Sequence, residues 1–441
     1  MSLALRLFLL AWSALWTLGL PVVLLYLWRR GRKDPAYLAA LPERFGRYAR
    51  PMPGAIWVHA VSLGEMRSAV PLIRGLLAAG HQVVTTHFTP AGRAEALRAF
   101  GPEIALGQLQ AVWVPLETGW AFAGFFRAFR PAYGLVMEIE IWPRMVFAAR
   151  ARGVPLFMCN AQYPQDSLAR DSRGLRLRQQ VMQGFAGALV KSDLQATRFA
   201  GVGVRNIAVT GELRFDQPVP QAQVVAGQAA RLWIGATHRR VICIASAIEG
   251  EDALYIQAIK ALRQHHAAHD LPPPLVVYVP RRPERFDLVA RTLEDAGLRL
   301  LRRSALGPAF DPAQWGRVET TPDVFLGDSL GEMYGYLAMA DQAVVGGGFT
   351  PKGSHNISEA LVLGKPVMTG PHVQTIEFPF AEAEAAGVAI KATGGNDLTR
   401  LLVANHQPDP AAIAAFVASQ VQATDRTLAA IPRLLAAVRP F

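Results

Sequence analysis

Cysteine is almost missing from this chain: Cys159 and Cys243 are the only two in 441 residues. They stand far apart in apolar, strand-like runs, which excludes a disulfide framework and reads as small reduced core residues of a cytosolic body. No Asp-x-Asp and no Cys-x-x-Cys occurs, and the histidines are read as offering no metal pairing. A metal-bridged diphosphate mechanism is therefore disfavoured, and neither a metal nor a cofactor is expected. A departing phosphate would have to be met by helix ends and cations. Acidic residues are also scarce, with Asp+Glu 34 against Lys+Arg 45 and a net charge of +11. An acidic partner follows, but no nucleic-acid motif accompanies the charge, so nucleic acid is not expected.

What is present begins with an apolar N-terminus. LFLLAWSALWTLGLPVVLLYLW, residues 7 to 28, has no ionisable group apart from a tyrosine. As a helix, its roughly 22 residues would extend about 33 Å, one bilayer crossing. A cleaved signal peptide is the rival reading. The run is long, shows no small-residue cleavage site and is closed by Arg29, Arg30, Arg32 and Lys33, which favours an uncleaved anchor over residues 1–33, with Pro21 as a tolerated kink. The positive-inside rule then places residues 29 to 441 in the cytoplasm. The basic flank, continued by Arg44, Arg47 and Arg50, suits anionic headgroups.

Beyond the anchor, short apolar runs alternate with helix-period segments. Strands are expected near 55–61, 82–87, 110–114, 133–137, 155–159, 187–190 and 207–210. The alternation restarts at RVICIAS (240–246) and continues through PLVVYVP, LRLLR, DVFLG, QAVVGG and KPVMTG. This is the pattern of parallel sheets with helices on both faces. The proline- and glutamine-rich stretch around 212–230 reads as a linker. The expectation is α/β: two doubly wound Rossmann-like domains, 34–220 and 221–441, the second including the C-terminal helices, with ligands beyond the strands' carboxyl ends in a cleft between.

Two stretches carry chemistry. In IWVHAVSLGEMRSAVPLIRGL (56–76) a strand, a tight turn and a helix follow one another, with Ser62, Gly64 and Glu65 in the turn. A carboxylate there is unexpected where a phosphate would be bound. It is either a general base at the edge of a cleft or a cap for a helix starting at Met66. In DQAVVGGGFTPKGSHNISEALVLGKPVMTGPH (341–372), a strand ends in Gly346, Gly347 and Gly348, a loop carries Lys352, Gly353 and Ser354, and a helix is expected near Asn356. Glycines for close approach, a lysine and a helix N-terminus favour a phosphate site over a plain glycine-rich turn. Glu359, one turn on, suits ribose hydroxyls or the helix dipole. Arg281 and Arg282 can hold a phosphate or carboxylate, while Arg285 is expected to pair with Glu284 or Asp287. Ser246 can bond a phosphate or cap a helix. Glu138 and Glu140, on one side of an extended segment, read as acid–base partners or, preferably, as structural ion-pair carboxylates.

Taken in order, the anchor, ERFGRY, WVHAVSLGE, MEIEIWP, GELRFD, ASAIEGE, VPRRPERF, LGDSLGEM, GGGFTPKGSHNISEAL and GKPVMTGPH resemble the 3-deoxy-D-manno-octulosonic acid (Kdo) transferases of lipopolysaccharide assembly. The resemblance implies a metal-independent, inverting GT-B glycosyltransferase at the inner membrane, with a single-pass anchor and cytoplasmic catalytic domains. Its donor would be CMP-Kdo and its acceptor the lipid A precursor. It implies Glu65 as general base. Together with the residue reading above, acceptor contacts are expected from Ser62, Gly64, Arg44 and Arg47, and donor contacts from Ser246, Arg281, Gly347, Gly348, Lys352, Gly353, Ser354, Asn356 and Glu359. The chain departs from the family pattern at Ser354, at Asn160-Ala161-Gln162-Tyr163 and after His372. A UDP-sugar enzyme of the same fold and an inactive membrane-anchored lipid-binding scaffold are the alternatives.

Overall fold

The computed structural model describes residues 2–318, 321–405 and 407–438. The chain divides into two units, one holding residues up to Gln217 and again from Val421, the other Pro218–Gln420. The first unit contains β1 (Ile56–His59), β2 (Val83–His87), β3 (Leu109–Trp113), β4 (Gly134–Met137), β5 (Leu156–Ala161), β6 (Gly187–Val190) and β7 (Ile207–Val209). They form one parallel sheet in the order β3-β2-β1-β4-β5-β6-β7. Its strands are apolar at successive positions because both faces are covered: Trp57 enters one core cluster, its neighbours Ile56 and Val58 the other.

The second unit contains β8 (Val241–Ala247), β9 (Leu275–Pro280), β10 (Leu300–Arg302), β11 (Val324–Leu326), β12 (Gln342–Val345), β13 (Val367–Thr369) and β14 (Ala389–Lys391). Its parallel sheet runs β10-β11-β9-β8-β12-β13-β14. In each sheet the strand order reverses beside the first strand, between β1 and β4 and between β8 and β12. Such switch points are where α/β sheets bind ligands.

Two features differ from the sequence expectation. The C-terminal helices do not stay together: Pro410–Gln420 lies in the second unit, whereas Ala423–Ala436 returns to the first, with Ala423, Ile431 and Leu434 in its core. Asp216 holds this return by accepting from Gln422 N at 2.7 Å and Thr424 N at 2.5 Å.

The N-terminal segment is also not one continuous helix. It forms α1 (Leu3–Leu18) and α2 (Leu20–Gly31), broken at Gly19 ahead of Pro21. Among the described residues no single helix is long and apolar enough to cross a membrane, and α1 and α2 meet that test only together, bent by 53°. One side of α1 is docked: Leu5 and Leu9 are core residues, and Trp12 Nε1 donates to the buried Glu117 carboxylate at 2.7 Å. The other side is bare, with Leu3 at 73% and Leu18 at 80% exposure.

Candidate active site

The Glu65 helix begins earlier than its apolar period announces. It spans Leu63–Ala78, with Ser62 as N-cap, so Gly64 and Glu65 belong to its first turn. Glu65 Oε2 accepts from Val61 N at 2.5 Å and Ser62 N at 3.2 Å, while Ser62 Oγ accepts from Glu65 N at 3.4 Å. This is a capping box. Glu65 Oε1 takes no hydrogen bond among the described residues. Burial pushes the carboxyl up to about 7, helped by the negative charge of Glu140 and then of Glu138, against the opposing backbone donors. The cap and the tuned base, posed above as alternatives, therefore coexist on one side chain. Gly64 is exposed, and a Cβ there would meet nothing within 4 Å.

Facing charges come from the far side of the switch point. Glu138 follows β4 in a turn with φ +57°, not in an extended segment, which corrects the expectation that it and Glu140 share one side of a strand. Left-handed backbone at a non-glycine residue is costly and concentrates at functional sites. Glu138 lies 3.2 Å from Arg214 and 3.5 Å from Lys191, while Glu140 accepts from Trp142 Nε1 at 2.7 Å. Lys191 is buried and also reaches Glu212 at 2.7 Å. Burial alone would raise Glu212, but Lys191 and Arg214 outweigh it and bring its carboxyl down to about 2. Asn160, itself at φ +54°, donates to Glu212 at 2.9 Å, and Arg214 Nε reaches Ser68 Oγ on the Glu65 helix at 3.1 Å. Lys191, Arg214 and Glu212 were not singled out by sequence, and Asn160 was noted only as a departure from the family pattern; the GELRFD stretch, which holds Glu212 and Arg214, was the available signal for those two.

Arg44 requires a correction. It is fully buried, with its guanidinium 4.0 Å from the Trp113 ring centroid and burial pulling it down to about 10, so it offers no surface to lipid phosphates. Arg47 and Arg50 are exposed.

In the second unit a cavity of about 70 Å³ is lined by Ala247, Glu249, Arg281, Arg282, Lys352 and His355 among others. Ser246 borders this region at φ +61°, at a register shift between β8 and β9 that re-aims its side chain. Burial lowers Arg281, neighbouring Arg282 lowers it further, and Glu359 opposes them, which sets Glu359 within electrostatic reach. Lys352 is exposed and pairs with Glu249 at 3.3 Å. His355, missed by sequence reasoning, has an Nε2 without a partner, and burial with Arg281 and Arg282 brings it down to about 4.

Several residues expected to meet the donor are already engaged within the chain. The glycine cluster serves close packing: a Cβ on Gly346 would meet Ser246 O at 2.5 Å, on Gly347 it would meet Gly353 O at 2.4 Å, and on Gly348 Thr369 Oγ1 at 2.4 Å. Gly347 N is already given to Glu251. Ser354 is buried and shares its hydroxyl with Thr369 at 2.7 Å, and Gly353, at φ +89°, abuts Thr375. Asn356 Oδ1 accepts from Ser358 N at 3.0 Å, and the helix that follows is only Ser358–Val362, too short to supply much dipole. Arg285 is buried and paired with Asp252 rather than with Glu284 or Asp287. One histidine pair does have helical i,i+4 spacing, His265 and His269, contrary to the sequence reading; its ring centroids lie 4.1 Å apart with the planes tilted by 37°. Among the described residues no group of three or more His, Cys, Asp or Glu side chains is placed to hold a metal.

The family model described as 3-deoxy-D-manno-octulosonic-acid transferase (kdotransferase) matches residues 39–217. Over 424 residues the chain is 41% identical to the 3-deoxy-D-manno-octulosonic acid transferase of Bordetella pertussis, covering 93% of this chain and 96% of that one. The chain belongs to this family. A second Kdo transferase, from Haemophilus influenzae, is 29% identical over 376 residues, 81% of each chain. This family member is accordingly a glycosyltransferase. Solved structures support the GT-B fold alone. A putative UDP-N-acetylglucosamine 2-epimerase from Listeria monocytogenes superposes with TM-score 0.57 at 12% identity, covering 89% of this chain and 99% of that one. The UDP-GlcNAc 2-epimerase of Neisseria meningitidis gives 0.51 at 16%, covering 87% and 100%.

Proposed function

We propose that the chain moves Kdo from CMP-Kdo to the lipid A precursor, lipid IVA, in lipopolysaccharide core assembly, with inversion and without a metal. The observation that carries this reading is Glu65, capped at one carboxylate oxygen, open at the other, and tuned to about 7. An acceptor hydroxyl oxygen attacks the anomeric carbon as the bond to the CMP phosphate breaks. The bonding electrons leave with CMP, and the hydroxyl proton passes to Glu65 Oε1. Arg281, Arg282 and Lys352 meet the phosphate as its charge grows, with Ser246 as a hydroxyl donor and Glu359 on ribose. Arg47 and Arg50 face lipid phosphates. The bare side of α1 and α2, ending in Arg29, Arg30, Arg32 and Lys33, attaches the enzyme to the cytoplasmic face of the inner membrane.

Isothermal titration of the purified chain with CMP and with UDP tests the donor. CMP binding with UDP affinity weaker by about tenfold or more supports the reading, and the reverse order replaces it with a UDP-sugar enzyme. Release of CMP on adding acceptor separates an enzyme from a lipid-binding scaffold.

A further inference from the structure

Glu251 is a buried carboxylate at 0% exposure that forms no ion pair with any Lys, Arg or His among the described residues. Burial pushes this carboxyl up from its ordinary value, and backbone donors oppose that, with the Tyr255 hydroxyl beside them. Oε1 accepts from Gly347 N at 2.7 Å and Phe349 N at 3.2 Å, and Oε2 accepts from Ile248 N at 3.0 Å. A buried anion without a countercharge is tolerated only where such donors converge on it. Successive loop amides turned to one point form an anion nest, the arrangement with which glycine-rich loops ordinarily receive phosphate. In this chain the nest at the end of β12 is filled from the turn after β8.

The rest of the loop is tied to the residue Glu251 holds. Thr350 N and its Oγ1 both donate to Gly347 O at 3.2 Å, Gly353 N donates to Thr350 O at 3.2 Å, and His355 N donates to Gly346 O at 3.0 Å. Lys352 and His355, which line the cation-bearing cavity, therefore take their positions from a loop whose root is pinned by Glu251.

We propose that Glu251 is a positioning residue for donor binding: its carboxylate occupies, from within the chain, the amide nest of the 346–349 loop, and so holds Lys352 and the neutral His355 beside Arg281 and Arg282, where side chains rather than loop amides receive the donor phosphate. This rests on the donor reading given above. It accounts for a phosphate-type glycine loop whose Gly347 and Phe349 amides are already taken by a carboxylate of the same chain.

The test uses the full chain with Glu251→Ala and Glu251→Gln. Hydrogen exchange at Gly347 and Phe349 is expected to accelerate by about tenfold or more in both variants. CMP affinity is expected to fall by about tenfold or more in both. Added formate should restore protection and CMP affinity in Glu251→Ala, whose cavity it can enter, but not in Glu251→Gln, where the amide fills the space and its NH₂ opposes the loop donors. Should Glu251→Ala not fold, the isosteric Glu251→Gln carries both readouts. Folded variants with parental exchange and parental CMP affinity would overturn the proposal, as would losses in a folded Glu251→Ala that formate leaves unchanged. If the parent binds no CMP, the donor reading fails, while the exchange experiment still decides whether Glu251 fills the nest.

Discussion

In Glu65 the two carboxylate oxygens have separate surroundings, one holding the Val61 and Ser62 amides and one open. Glutamine is tolerated at this position of a capping box. Glu65→Gln should therefore unfold within about 1 kcal/mol of the parent and bind donor and acceptor normally. As the loss of a general base, it should lower kcat by about 10² to 10⁴. Denaturant titration and steady-state kinetics on the same variant separate the two effects. Because the base form is needed and the group sits near 7, kcat/KM should fall as pH drops below about 7. After burial, Glu140 is the leading cause of that rise, so Glu140→Gln should move this acid limb to lower pH; an unmoved limb would detach Glu140 from the base. Folding linkage has the opposite sense: the raised group favours the fold at acid pH, and this contribution is lost as pH rises from its ordinary 4.5 through about 7. Glu65 was legible from VSLGE because turn, glycine and carboxylate are adjacent in sequence. Lys191, Glu212 and Arg214 were not, since only the fold brings them to Glu138. Arg44 was misread because its aromatic surroundings, Phe88 and Trp113, arrive from other strands and loops.

At the scale of elements, α1 acts as part of the first unit as well as an apolar surface. Trp12 donates to Glu117, whose carboxylate also accepts from Arg144 N and Met145 N at 3.0 Å, the start of the Pro143–Arg150 helix that follows the Glu138 to Trp142 loop. Trp12→Phe keeps the apolar bulk and deletes that donor. It should cost about 1 to 3 kcal/mol of stability, read by denaturant titration. If kinetics with detergent-dispersed acceptor also show a raised acceptor KM, α1 positions that loop; unchanged stability would make the Trp12 contact incidental. Most strands were legible because their runs are apolar on both faces. β14 was missed, having only three residues that pass from buried Ala389 to exposed Lys391. The glycines of 346–348 could not be assigned to one role from sequence, because close backbone packing and phosphate approach demand the same residue.

For the whole molecule, the alternation of strands and helices announced two doubly wound units, and each site's residues gather at a sheet switch point. The return of Ala423–Ala436 to the first unit was not legible, because an Ala-rich helix suits either sheet. In the first unit it packs on the Glu65 helix, where a Cβ on Gly75 would come within 2.6 Å of Leu428. The central claim is that the chain carries Kdo from a cytidine donor to lipid IVA using Glu65. The most direct measurement is mass spectrometry of the lipid after incubating purified full-length chain with CMP-Kdo and lipid IVA, beside Glu65→Gln and beside a UDP-sugar in place of CMP-Kdo. The expected result is lipid heavier by whole Kdo units with matching release of CMP, a loss of about a hundredfold or more in rate with Glu65→Gln, and no product from the UDP-sugar. Unmodified lipid with the parent chain, or parental turnover by a folded Glu65→Gln, would contradict it.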